Sequence, residues 1–280
     1  MPDTSSLPIF SAIQLNSSDS LNENLETAFS QLKLAKDQGA LCALLPETFA
    51  WIGEDAKAPL YSEKLGNGAV QSFLADTAKS LGLWIIGGSH RIIVPNDPKQ
   101  RVTNTTLVYN PQGQQVARYD KIHLFDAEVG EQRAYTESDT FKAGEHICVV
   151  DMGFAKVGLS ICYDIRFPAL YQSLRQQDAD IIVVPAAFTV PTGQAHWQAL
   201  LQARAIENQV YIIAAAQTGQ HSTGRETWGH SLCIDPWGKI QGELDHGTGN
   251  IQCAINIEKM KQIRHDMPVI LHQRSNHYQT

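Results

Sequence analysis

Two stretches in the second half of the chain, Ile181–Val184 (IIVV) and Val210–Ala215 (VYIIAA), carry no charged side chain and are apolar at nearly every position. A strand with one wet face alternates; a strand apolar throughout has to be covered on both sides. The segments around them, Pro168–Gln177 and Ala195–Asn208, have the length and spacing of helices instead. Strands buried on both faces and interleaved with helices define the α/β class.

The same alternation runs along the rest of the chain. Ile9–Gln14 reads as a strand, Leu21–Gln38 as a helix, Leu41–Leu45 as a buried strand and Val70–Leu81 as a helix. Leu83–Gly87 reads as a strand closed by a glycine pair. Thr105–Tyr109 and Gln115–Tyr119 flank the turn Asn110-Pro-Gln-Gly and predict a hairpin. Strands follow at Cys148–Asp151 and Ala155–Ile161. A last ladder is expected from Trp228–Ile234, Lys239–Glu243 and Asn250–Asn256, then a short helix over Ile257–His265. Between His123 and Gly144 the chain has many charges and no period, so a long loop is expected there. No Pro/Gly/Ser linker interrupts the pattern, and residues 1–280 read as a single domain.

Composition narrows the function. A net charge of −7 without a basic run disfavours nucleic acid and anionic membrane surfaces. No stretch approaches the roughly 20 apolar residues that span a bilayer, and MPDTSSLPIF lacks the features of a secretory signal. A cytoplasmic protein is expected. Five cysteines with no CxxC pair argue against a disulfide framework or a four-cysteine zinc site.

Three reactive residues sit where buried strands end: Glu47 in LLPETF, Lys121 in RYDKIHLFD and Cys162 in VGLSICYDIRFP. Strand-to-helix junctions are where open α/β sheets place their sites. Taken singly, each has a structural explanation: a surface carboxylate, a loop lysine, a packed thiol.

Together the segments resemble the three catalytic segments of the nitrilase, or carbon–nitrogen hydrolase, superfamily, in the same order. The likeness continues through VVPAAFTVPTGQAHWQALLQARAIENQVYIIAAAQ and WGHSLCIDPWG, from Ile9 to about Arg274. It implies a four-layer αββα sandwich, no metal, no cofactor, and homodimers or higher homo-oligomers formed through the helical faces. It also implies a triad with Cys162 as nucleophile, Glu47 as general base and acid, and Lys121 facing the oxyanion beside the Tyr163 backbone N–H. A second carboxylate is implied in the loop after the lysine. Glu137 in YTESDTF fits it, with Glu128 and Glu131 in the same loop.

The implied substrate is a small amide. Arg166 in CYDIRFP has two readings: an ion pair with Asp164 or a loop carboxylate, or recognition of a substrate carboxylate. Phe49, Phe188 and Thr189 would line the pocket. Through Gln217, His221 and Arg225, the segment AAAQTGQHSTGRETWGHSLCIDPWG resembles the branch that cleaves deaminated glutathione to 2-oxoglutarate and cysteinylglycine. An ω-amidase acting on 2-oxoglutaramate is the alternative, and a non-enzymatic binding protein on the same fold is a second. A papain-like pairing of Cys162 with His196 or His230 is a further rival. His123, His196 and His230 otherwise read as hydrogen-bonded structural residues. His230 and Cys233 lack the further ligands a zinc site requires.

Overall fold

A computed structural model describes residues 7–128 and 134–274. Among these, two mixed sheets form the centre. The first runs in the order Gly249–Ala254, Ile9–Gln14, Ala40–Leu44, Trp84–Ile86, Val102–Tyr109, His90–Ile93, with Gln115–Asp120 also pairing on Val102–Tyr109. The second runs Ile240–Glu243, Leu232–Ile234, Tyr211–Ala216, Ile181–Ala186, Lys156–Leu159, Val149–Asp151. Ile9–Gln14, Ala40–Leu44 and Trp84–Ile86 are parallel neighbours, as are Lys156–Leu159, Ile181–Ala186 and Tyr211–Ala216.

Side-chain alternation explains why these strands are apolar on both faces. Cys42 and Leu44 point into the core between the sheets, whereas Ala43 and Leu45 point into an outer core under a helical layer. Ile86 and Val108 face inward in the same way, and Ile85 and Leu107 outward. The helices Leu21–Asp37 and Ala69–Leu81 cover the outer core with Ala28, Leu32, Val70 and Leu74. Helices Pro168–Gln176 and Val190–Asn208 cover the far side of the second sheet with Leu170, Tyr171, Trp197 and Leu201. The order is αββα, as expected. No helix among the described residues is long and apolar enough to cross a membrane.

Several local expectations change. The loop after His123 contains paired strands Asp126–Glu128 and Ala134–Thr136 and the short helix Glu137–Thr140. Helix Val190–Asn208 begins five residues before the expected Ala195, with Pro191 in its first turn. Trp228–Ile234 is not one strand. Gly229 and His230 both have positive φ, +77° and +55°, and they separate Glu226–Trp228, paired with Thr218–Gln220, from Leu232–Ile234.

The glycine pair after Trp84–Ile86 has a specific task. Gly88 has φ +50°, and a Cβ there would lie 2.0 Å from the Pro46 carbonyl oxygen and 2.8 Å from that of Leu45. Both contacts are backbone, so no rotamer change relieves them. Gly88→Ala is expected to cost about 1–3 kcal/mol through strain and overcrowding and to shift the segment before Glu47. An unchanged urea midpoint would contradict this.

Candidate active site

The parallel strands of both sheets deliver their C-terminal ends to one cavity of about 630 Å³. Glu47 follows Ala40–Leu44, Cys162 follows Lys156–Leu159, Ala187 follows Ile181–Ala186, and Lys121 follows the hairpin strand Gln115–Asp120. Glu47, Lys121, Cys162 and Glu137 all line this cavity.

Glu47 is 5% exposed and held through both oxygens. Its Oε1 accepts from Lys121 Nζ at 3.1 Å and Asn104 Nδ2 at 2.9 Å, and Oε2 accepts from the Ala187 N–H at 2.9 Å. The Cys162 thiol faces the same carboxylate across the cavity. Its backbone is fixed too: Gln217 Nε2 donates to the Glu47 carbonyl at 3.1 Å, and Thr48 turns the chain at φ +52°.

Lys121 is 2% exposed and joins two carboxylates. Besides Glu47, its Nζ donates to Glu137 Oε1 at 3.0 Å and Oε2 at 2.9 Å. Glu137 Oε2 in turn accepts from the Phe125 N–H at 2.6 Å. Of the two loop carboxylates among the described residues, Glu128 and Glu137, Glu137 is the one at Lys121. Glu128 is exposed and off the cavity, and Glu131 lies outside the described residues.

Cys162 opens the short 3-10 turn Cys162–Arg166 with φ +48°. Asp164, fully buried, ties this turn to the lysine segment. It accepts from the Ile161 N–H at 2.9 Å, Tyr119 Oη at 2.7 Å and the His123 N–H at 3.0 Å, with His123 Nδ1 at 2.7 Å.

These contacts set the charge states. Burial pushes the Cys162 thiol up, the negative charge of Glu47 adds to it, and the Lys121 charge opposes without prevailing. Burial alone would raise Glu47 as well. The Lys121 ammonium, the neighbouring thiol and the Arg225 charge outweigh it, so Glu47 lies below its ordinary value. For Lys121 burial opposes the charge, but the carboxylates of Glu137 and Glu47 raise its pKa. The resting site is therefore a thiol, a carboxylate and an ammonium. A buried carboxylate within hydrogen-bond reach of a thiol can take its proton as the sulfur attacks an electrophile.

The other expected residues separate. Tyr163, Phe188, Thr189 and Arg166 line the cavity. Arg166 stands 5.8 Å from the Tyr163 ring centre and 5.5 Å from that of Phe188, with His196 Nδ1 3.3 Å away. It does not pair with Asp164, whose oxygens are taken as above, nor with any other carboxylate among the described residues. Phe49 is a correction. The turn at Thr48 sends it into the outer core, where it is fully buried 6.4 Å from Phe73.

Among the described residues, no histidine lines the cavity. His123 stacks on Phe167 at 3.6 Å, and His221 is buried between the Ser17 carbonyl and Thr227 Oγ1. Two participants escape a reading of the sequence. Asn104 bridges Glu47 Oε1 and, at 3.4 Å, Glu137 Oε1. The Ala187 peptide donates to Glu47 while its carbonyl accepts from Arg225 Nη2 at 2.6 Å. A run of four buried polar residues, Thr103 to Thr106, inside a strand is the available signal for Asn104. A backbone donor leaves no signal.

Residues 10–265 match the model of the carbon-nitrogen hydrolase family. A Yersinia enterocolitica protein named deaminated glutathione amidase is 41% identical over 263 residues, covering 94% of this chain and 91% of the relative. The human protein of that name is 36% identical over 275 residues, covering 97% of this chain and 84% of its own length. The crystal structure of Saccharomyces cerevisiae Nit3, described as a member of branch 10 of the nitrilase superfamily, is similar with a TM-score of 0.84 at 27% identity, covering 94% of each chain. This chain belongs to the carbon–nitrogen hydrolase family of the nitrilase superfamily and is a hydrolase of carbon–nitrogen amide bonds.

Proposed function

We propose that this chain cleaves the amide of deaminated glutathione to 2-oxoglutarate and cysteinylglycine, with Cys162 as nucleophile. The observation that carries the proposal is the convergence of Cys162, Glu47 and Lys121 in one cavity beside Arg166, a cation with no carboxylate partner among the described residues. A substrate carboxylate satisfies that guanidinium. Deaminated glutathione carries a carboxylate at each end, and Arg91 and Arg225 also line the cavity. The relatives' names point to the same substrate. Assembly of like chains through the helical faces belongs to the same reading.

In this mechanism the thiol proton passes to Glu47 as sulfur attacks the amide carbon. Negative charge develops on the carbonyl oxygen and is met by Lys121 and the Tyr163 N–H. The C–N bond breaks as Glu47 returns the proton to the leaving amine, which leaves a thioester. Water then gives a proton to Glu47 and its oxygen attacks the thioester. Collapse of that intermediate expels the sulfur, which takes the proton back from Glu47, and releases the acid. Glu137 holds the Lys121 ammonium in place throughout.

The test is steady-state hydrolysis of deaminated glutathione against 2-oxoglutaramate, for the wild type and Arg166→Ala. A higher kcat/KM on deaminated glutathione is expected, with a loss of about 10–100-fold in the variant, the scale of a charge-assisted hydrogen-bonded contact. A strong preference for 2-oxoglutaramate would replace the substrate with that of an ω-amidase and leave the proposed nucleophile in place.

A further inference from the structure

Away from the cavity, the loop after Ile240–Glu243 brings Asp245 and His246 back over His230. His230 Nε2 is 3.5 Å from Asp245 Oδ1, and His246 Nε2 is 3.4 Å from the same oxygen. Taking one ligand atom from each of the three residues, all lie within 4.8 Å of one another. A charge-assisted hydrogen bond between imidazole and carboxylate would close to about 2.7–2.9 Å. A tetrahedral ion with bonds of about 2.0–2.1 Å instead holds neighbouring donors roughly 3.3–3.4 Å apart. These donors stand near ligand spacing.

The arrangement is braced from behind. His230 Nδ1 lies 3.0 Å from Glu243 Oε1. A proton on Nδ1 donated to that carboxylate turns the Nε2 lone pair toward Asp245, which is how a carboxylate behind a histidine ligand fixes its tautomer. Nε2 is buried and has no hydrogen-bond partner among the described residues. The Trp228 ring stacks on the imidazole at 4.3 Å and 19°. His230 also holds a left-handed φ of +55°, uncommon for a histidine.

Both backbone arms are pinned. The His230 N–H donates to the Asp245 carbonyl at 3.3 Å, and the fully buried Gln14 donates from Nε2 to the carbonyls of Asp245 at 2.8 Å and Gly247 at 2.9 Å. Asp245 and His246 are 80% and 66% exposed, so the fourth position opens to water. Two imidazoles and a carboxylate suit zinc and the later first-row divalent ions.

We propose that His230, Asp245 and His246 form a surface site for a divalent ion of the zinc class, separate from the amide-cleaving cavity. The ion would tie the loop after Ile240–Glu243 to the segment between Glu226–Trp228 and Leu232–Ile234.

The test titrates zinc chloride into the tag-free chain carrying Cys162→Ala, which removes the thiol of the cavity as a competing ligand. His246→Ala and Asp245→Asn are compared in the same background. One saturable equivalent is expected, weakened at least about tenfold in each variant. Zinc is expected to raise the Tm of the parent but of neither variant. The two replaced side chains are exposed, so the metal-free variants should melt with the parent. No saturable binding, or parent affinity in either variant, overturns the proposal.

Discussion

Replacing Cys162 with alanine is expected to lower kcat/KM for the amide substrate by about 10⁴–10⁶-fold with the protein still folded, the scale seen when a nucleophile acting as part of a unit is removed. Every covalent step of the proposed cycle passes through its sulfur, and among the described residues no hydroxyl or other thiol donates to the Glu47 carboxylate, whose hydrogen-bond donors are Lys121, Asn104 and the Ala187 N–H. Alanine at φ +48° bears the same backbone strain as cysteine, and the lost atom faces both the cavity and the central core. Stability should therefore change little. Substrate affinity should survive as well, because Arg166 and Phe188 are untouched. The measurement is single-turnover hydrolysis alongside thermal denaturation. A folded variant retaining activity within tenfold of wild type would remove Cys162 from the chemistry. Cys162→Ser is a sharper form of the same test. It keeps a donor beside Glu47 but offers a hydroxyl far harder to deprotonate, so it should be nearly as inactive.

Most of the frame is legible in the sequence because the frame follows from alternation. Apolar strands such as Ile181–Ala186 need two covered faces, and the helices beside them supply the cover. Glu47, Lys121 and Cys162 are visible as reactive residues at strand ends, and resemblance gives them roles. What stays hidden depends on contacts far apart in the chain. Asn104 and Glu137 are 33 positions apart and 3.4 Å in space. Phe49 looks like a pocket residue because it follows Glu47 closely, but the left-handed turn at Thr48 reverses its direction. The break in Trp228–Ile234 depends on a positive φ at His230, a conformation that its side chain does not advertise. The proposed metal ligands are hidden for the same reason. Asp245 and His246 meet His230 only after the intervening hairpin closes.

Glu47→Gln is expected to reduce kcat/KM by about 10²–10⁴-fold, the usual contribution of a general acid–base group. The substitution is nearly isosteric, so the loss cannot be assigned to space. It comes from hydrogen bonding and charge. Glu47 receives the Lys121 ammonium, the Asn104 amide and the Ala187 N–H on two oxygens, with the Cys162 thiol beside it. A glutamine offers one oxygen to those donors and turns an NH₂ toward the rest. One buried donor is then unmatched, at a cost of about 1–3 kcal/mol in stability, which a lowered Tm would register. Lys121 stays charged because Glu137 remains beside it. The thiol loses its base, and the leaving amine loses its acid. A Cys–His pair would behave differently, since the same substitution would leave its histidine base intact and most activity in place. The pH profile separates the two again. Burial pushes Glu47 up, but Lys121, the thiol and Arg225 bring it below the ordinary glutamate range. Its basic form therefore persists through neutrality and is lost only as pH falls through that depressed value. The same depression makes Glu47 a source of stability above the unfolded-state pKa that disappears on acidification through the folded one. Activity in wild type should accordingly stay level from neutrality down to the carboxylate range and then fall together with the folded signal. An acid limb near pH 6–7, where an ordinary histidine titrates, would place the base elsewhere.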